Sequence, residues 1–330
     1  MKSLRTLVLI SIILAIVVVT LGAYTRLTHA GLGCPDWPGC YGQIDVPRTA
    51  EQIAKAEQAF PERPVEVQKA WNEMIHRYFA GALGLFVLAI AVLSYRKRHL
   101  GTPLFLPMSI LALVIFQAAL GMWTVTMKLM PIVVMGHLLG GFTTLCLLFL
   151  LYLRLSNYRI PEGDFAVKKY AKFAGIGVII LTLQIALGGW TSSNYAALVC
   201  TELPICQQPW VENLTFENSF DPIPPKRDTY EYGHLDHYER VTIHAMHRIG
   251  AIITAVYLLW LALKIFTRSQ SQLVKQTTAI LTLVLFVQVG LGVSNIVLSL
   301  PLAIAVSHNI IAACLMMVLI KLTYTLKRKI

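Results

Sequence analysis

The chain alternates long apolar runs with shorter polar ones. Runs of about 20 apolar residues, the length at which a helix crosses the hydrocarbon core, occupy 7–27, 74–94, 104–126, 131–153, 173–192, 243–264, 276–298 and 302–322. In lipid, the backbone N–H and C=O groups of such a run have only one another as partners. The pattern therefore predicts an all-α integral membrane protein with eight transmembrane helices. The first run follows Lys2 and Arg5, as a secretory signal would, but it is too long and no small-x-small cleavage site follows it. It is read as a retained helix. The connections 28–70 and 193–240 are long, Pro-rich and aromatic-bearing, whereas those after Met127 and Leu298 are short. The long ones are expected to lie as lids over whatever the helices bind.

Composition agrees: 56% of the 330 residues are hydrophobic, 14% are charged and the mean hydropathy is +0.63, against about 45–50% apolar residues in soluble domains. A net charge of +11 could point to nucleic acid, but the charges sit almost entirely in loops. Placing both termini and the loops after the second, fourth and sixth spans on one face gives that face most of the 28 Lys and Arg. Of the 17 acidic residues it receives only Glu162 and Asp164. That face is expected to be cytoplasmic. The expected location is the cell inner membrane, multi-pass, with both termini cytoplasmic, the cysteine-bearing loops extracytoplasmic, lipid as partner and no nucleic acid.

The runs also repeat. IHRYFAGALG from Ile75 aligns with MHRIGAIITA from Met246 at an offset of 171, and the offset persists from Gln117 to Gln288, Gly121 to Gly292 and His137 to His308. Upstream the offset is 166: LGAYTRLTHAGLGC from Leu21 aligns with LGGWTSSNYAALVC from Leu187, matching Cys34 and Cys40 to Cys200 and Cys206. A five-residue length change in the outer loop accounts for the shift. Four spans per copy is an even number, so both copies enter the membrane in the same direction and the repeat is parallel. Two four-helix bundles are expected, 1–160 and 161–330.

Each copy places two histidines 61 residues apart, His76 with His137 and His247 with His308. By the apolar pattern, His76 and His247 fall in the first turns of their spans and His137 and His308 about two turns in, all near the external face. A histidine inside a span is costly enough to be a functional candidate, and neutral imidazole is a common ligand of heme iron. Facing helices of a bundle can offer one imidazole to each side of a porphyrin, which predicts one bis-histidine heme position per copy. A zinc or copper site is disfavoured, because neither copy shows an HExxH pair or a clustered Cys/His set. Glu73 stands one turn before His76, whereas the matching position before His247 is His244. The two sites are therefore expected to do different work. Arg77 and Arg248 each follow a histidine and are candidate contacts for heme propionates.

CPDWPGC and CTELPIC lie on the predicted outer face, where disulfides persist. Two readings stand side by side: structural staples within each loop, or a dithiol that exchanges electrons. Cys146 and Cys314 lie in spans, do not match under the repeat and are read as packing residues.

GAYTRLTHAGLGCPDWPGC from Gly22, NEMIHRYFAG from Asn72, FQAALGMWTV from Phe116, GHLLGG from Gly136, MHRIGA and SHNIIAA together resemble the heme A synthase family, membrane enzymes that convert heme O to heme A for terminal oxidases. The resemblance covers essentially the whole chain. It implies that the C-terminal bundle holds a resident heme b through the iron ligands His247 and His308. The N-terminal bundle would receive the substrate heme O at His76 and His137. Glu73 matches the family's catalytic acidic residue, as proton acceptor or as orienter of His76, and the reaction oxidises the C8 methyl of heme O to a formyl group. Heme O synthase and an electron acceptor are the further partners implied. Three rivals remain: a diheme electron-transfer subunit, a heme carrier, and a quinone-linked thiol oxidase, the last of which needs no intramembrane histidines.

Overall fold

The computed structural model describes residues 2–156 and 164–327. The expected domain boundary at 160/161, and Glu162 on the expected cytoplasmic face, lie outside the described residues. The described residues form ten α-helices and no strand: α1 (Lys2–Leu27), α2 (Ala50–Ala59), α3 (Val67–Arg96), α4 (Phe105–Thr126), α5 (Pro131–Leu155), α6 (Phe165–Lys168), α7 (Ala171–Ser193), α8 (His237–Arg268), α9 (Gln272–Val297) and α10 (Leu302–Lys327). Eight of them are long and apolar enough to cross a membrane, so the chain is a multi-pass helical membrane protein. Many large apolar side chains face outward, among them Leu85, Leu183, Val256 and Phe286, as lipid permits. Hydroxyls inside the spans return to the carbonyl one turn back, as at Ser11, Thr143, Thr254 and Thr278, which satisfies them without water.

Two helices begin further out than hydropathy indicates. α3 starts at Val67 and α8 at His237, ahead of the apolar runs at 74 and 243. α8 is drawn outward by a capping box in which Asp236 accepts from the Glu239 N–H and the Glu239 side chain accepts from the Asp236 N–H. In α3 the polar extension packs one side, through Ala70 and Met74, against the first disulfide loop. His76 and His247 are thus more than two turns inside their helices, deeper than the expected first turns. A second element absent from the hydropathy pattern is α2, within the first outer loop, held by a Thr49/Gln52 capping box.

The chain forms two compact units, one reaching to Leu145 and including Pro222–His234, the other comprising Cys146–Asp221 and the chain from Leu235. In the first, α1 packs on α3 and α3 on α4. Cys34, Cys40 and Tyr41 close a hairpin against Ala56, Ala70 and Met74. Burial pushes the Tyr41 hydroxyl up to about 12, so it stays protonated and donates to the Pro64 carbonyl at 3.0 Å. In the second unit, α7, α8, α9 and α10 pack as a ring, each on its two neighbours, with α8 and α10 at opposite corners. Its core, including Leu181, Leu258, Ile265, Leu281, Leu315 and Leu322, fills the half of the bundle away from the Cys200–Cys206 loop. The histidines take the other half.

Pro222–His234 belongs to the first unit although it comes from the second long loop. Arg63 holds it bidentately through Glu231 at 2.7 and 3.2 Å while donating to the Leu32 carbonyl. The Tyr230 N–H donates to the Lys128 carbonyl at 3.0 Å. The hydrogen bond from Glu231 raises the Arg63 pKa further, so the guanidinium stays charged. A charged hydrogen bond of this kind contributes about 1.5–3 kcal/mol. Glu231→Ala is expected to release the segment and to speed tryptic cleavage at the exposed Lys226 and Arg227 by about tenfold, measured on protein in detergent. An unchanged cleavage rate would show that the segment is held by other contacts.

Candidate functional site

The site begins with the ends of α1, α4, α7 and α9. Each finishes in a left-handed cap on a residue other than glycine: His29 (φ 51), Lys128 (φ 48), Tyr195 (φ 53) and Ser299 (φ 56). The next amide closes the cap by donating back into the helix, Ala30 to Thr25, Leu129 to Thr124, Ala196 to Thr191 and Leu300 to Asn295, at 2.7–2.9 Å. A left-handed non-glycine residue costs about 1 kcal/mol or more, and the closing bond offsets it. Five residues before the last residue of each of these helices stands a glycine: Gly22, Gly121, Gly188 and Gly292.

Each glycine is met by one histidine ring from the next long apolar helix. A Cβ on Gly22 would lie 3.0 Å from His76 Cε1, on Gly121 3.3 Å from His137, on Gly188 3.1 Å from His247 and on Gly292 3.2 Å from His308. The rings rest on bare helix backbone. His76 faces the Val18 carbonyl, His137 that of Gln117 and His308 that of Gln288, each four residues before the glycine. The approach stops short of a hydrogen bond, and Nδ1 of all three is buried without a close partner. At the corresponding place in α7 the Gln184 side-chain amide lies 3.0 Å from His247 Nδ1.

In the first unit the His76 and His137 rings are 6.3 Å apart between centres and nearly perpendicular, at 87°. Two imidazoles binding one metal ion from opposite sides, at about 2.0 Å each, need ring centres about 6 Å apart. The pair fits a porphyrin iron. Either ring nitrogen of a neutral imidazole can bind a metal; in the second unit His308 Nε2 lies 3.3 Å from the Gln288 side-chain amide. In the second unit, His247 and His308 stand on the opposite corners α8 and α10, each on its glycine, and that donor set suits a second heme. Among the described residues no group of three or more His, Cys, Asp or Glu converges as a metal cage. A pair of imidazoles is what a porphyrin leaves for the protein to supply.

Glu73 does not stand alone. Its Oε2 accepts the Cys34 N–H at 2.9 Å and its Oε1 pairs with Arg77 at 2.5 Å. Arg77 also donates to the carbonyls of Asp36 at 3.0 Å and Gly39 at 2.5 Å. In the second unit Arg248 donates to His244 Nε2 at 3.2 Å, to the Glu202 carbonyl at 2.6 Å and to the carbonyls of Cys200 and Ile205. Both guanidinium groups are thus engaged by the loops. The loops they hold are closed by disulfides, Cys34–Cys40 and Cys200–Cys206. Cys146 and Cys314 are free thiols. The four glycine seats were missed from sequence, yet they carry a signal: Gly-x-x-Thr at 22, 121 and 188, and Gly-x-x-Asn at 292.

Arg248→Ala removes the donors that hold three loop carbonyls on α8. Dithiothreitol is expected to reduce Cys200–Cys206 about tenfold faster in this variant, read by thiol labelling, with Cys34–Cys40 unchanged. Equal acceleration at both disulfides would assign the effect to general loosening.

A family model described as cytochrome oxidase assembly protein, COX15-CtaA, matches residues 5–320. The chain is 51% identical over 320 residues to a protein of Shewanella oneidensis named heme A synthase, covering 97% of this chain and 96% of that one. It is 27% identical to a heme A synthase of Chelativorans sp., over 89% of this chain and 83% of the relative. With a heme A synthase of Bacillus licheniformis the identity is 25%, over 95% and 93%.

Proposed function

Because the chain belongs to the cytochrome oxidase assembly protein family COX15-CtaA, we propose that it is a heme A synthase, an oxidoreductase that converts the C8 methyl group of heme O to a formyl group. The observation that carries this reading is the perpendicular His76–His137 pair, whose 6.3 Å spacing suits a porphyrin iron. It is supported by the relative at 51% identity that bears the same name. The domains are read as 1–160 for the substrate and 161–330 for the cofactor, in a parallel repeat. The Lys and Arg distribution supports an inner-membrane location with cytoplasmic termini and external disulfide loops.

In this reading His76 and His137 bind heme O as substrate, and His247 and His308 are the axial ligands of a resident heme b. When bound, heme b supplies one-electron redox chemistry. Taking a methyl group to a formyl group with oxygen from water releases four protons and four electrons. An electron acceptor is therefore a required partner, and a heme O synthase supplies the substrate. The chain's own contribution is to fix the porphyrin and to cover it. The glycine-backed imidazoles would hold the iron, and the first disulfide hairpin is tied to the histidine helix by Glu73 and Arg77.

Both carboxylate oxygens of Glu73 are engaged, which favours positioning over proton transfer as its part in the reaction. Glu73→Gln keeps an acceptor for the Cys34 N–H, so it is expected to retain heme O conversion within about threefold, whereas Glu73→Ala loses at least about tenfold. Equal loss in both would make Glu73 a proton acceptor. The resident heme is expected to survive both changes and to be lost from His247→Ala and His308→Ala; full heme content in those variants would remove the ligand assignment. The function itself is tested by extracting pigments from cells that make the protein and heme O, and weighing them by mass spectrometry. Heme A with hydroxylated heme O beside it is the expected result. Unaltered heme O, with the protein folded and heme-loaded, would favour a carrier or an electron-transfer subunit.

A further inference from the structure

We infer that Gly22, Gly121, Gly188 and Gly292 are positioning residues that fix the orientation of the four heme-ligating imidazoles; this rests on the heme reading above. The contacts are selective. Gly81 on α3, Gly141 on α5 and Gly290 on α9 have nothing within 4 Å of where a Cβ would be, while the four seats each have a histidine Cε1 at 3.0–3.3 Å. Any larger residue at a seat would push the ring off the backbone.

The seat does two things. It lets the imidazole come close to the residue four positions before the glycine, Val18, Gln117 or Gln288, and at His247 to the Gln184 side-chain amide, 3.0 Å from Nδ1. It also limits rotation of the ring, because the Cε1 edge is in van der Waals contact with the helix. The 87° angle between the His76 and His137 planes is the product of two such restraints, one from α1 and one from α4.

The depth of the ligand layer has the same origin. Every seat is five residues from its helix end, about 7.5 Å at the rise of an α-helix, and every end is fixed by the same left-handed cap. The caps set the seats, and the seats set the rings.

The test uses the full-length protein purified with its heme. The angle between axial imidazole planes governs the g-values of a ferric low-spin heme, so electron paramagnetic resonance reads ring orientation directly. Gly188→Ala and Gly292→Ala are expected to keep the protein folded and to shift the largest g-value, or to release the heme. Gly290→Ala, on the same helix as Gly292, is expected to leave signal and heme content unchanged. In the first unit Gly22→Ala is expected to lower heme O conversion about tenfold with the resident heme signal intact, and Gly81→Ala to have no effect. Wild-type signals in both Gly188→Ala and Gly292→Ala, or equal losses in seat and control variants, would overturn the inference. Full heme content in His247→Ala would instead overturn the heme reading on which it rests.

Discussion

An imidazole inside a membrane span has no water to satisfy it, and the fold is organised around that constraint. Four histidines are carried into the apolar layer, and each is accommodated by removing a side chain from the helix beside it. This arrangement divides the long helices into two kinds. α1, α4, α7 and α9 present glycine and end in a left-handed cap, while α3, α5, α8 and α10 present histidine. Because glycine and helix end are separated by the same five residues each time, the depth of each ring follows from the end of the helix that seats it.

The outer loops serve the same layer from above. Glu73 with Arg77, and His244 with Arg248, each join a disulfide-closed loop to the outer part of a histidine helix. Buried charges of this type are strongly destabilising when one partner is removed, so these pairs make the loops rigid parts of the site. The two units differ at one position of this device, a carboxylate in one and an imidazole in the other. That difference is the clearest chemical asymmetry between the two units.

Stability and chemistry are separated along the bundle axis of the second unit. Its densest packing, around Leu258, Ile265, Leu315 and Leu322, lies in the half away from the disulfide loop, and the histidines lie in the half nearer to it. Dense aliphatic packing tolerates little volume change, so one half holds the helices together while the histidines stand outside it.

The sequence by itself determined the helical membrane fold, the eight spans and the four histidines at matched spacing, because lipid allows few backbone solutions and few polar intrusions. It also marked Cys34, Cys40, Cys200 and Cys206 as two matched pairs, and the Gly-x-x-Thr/Asn pattern was there to be read. Only the tertiary structure decided the rest. The outward extensions of α3 and α8 escape hydropathy because their polar residues are stabilised by caps and by contact with loops distant in sequence. The loop partners of Glu73, Arg77 and Arg248 are backbone groups, and Pro222–His234 joins the first unit through an ion pair 168 residues apart in sequence. Such contacts depend on where the chain returns in space, which neither periodicity nor spacing encodes.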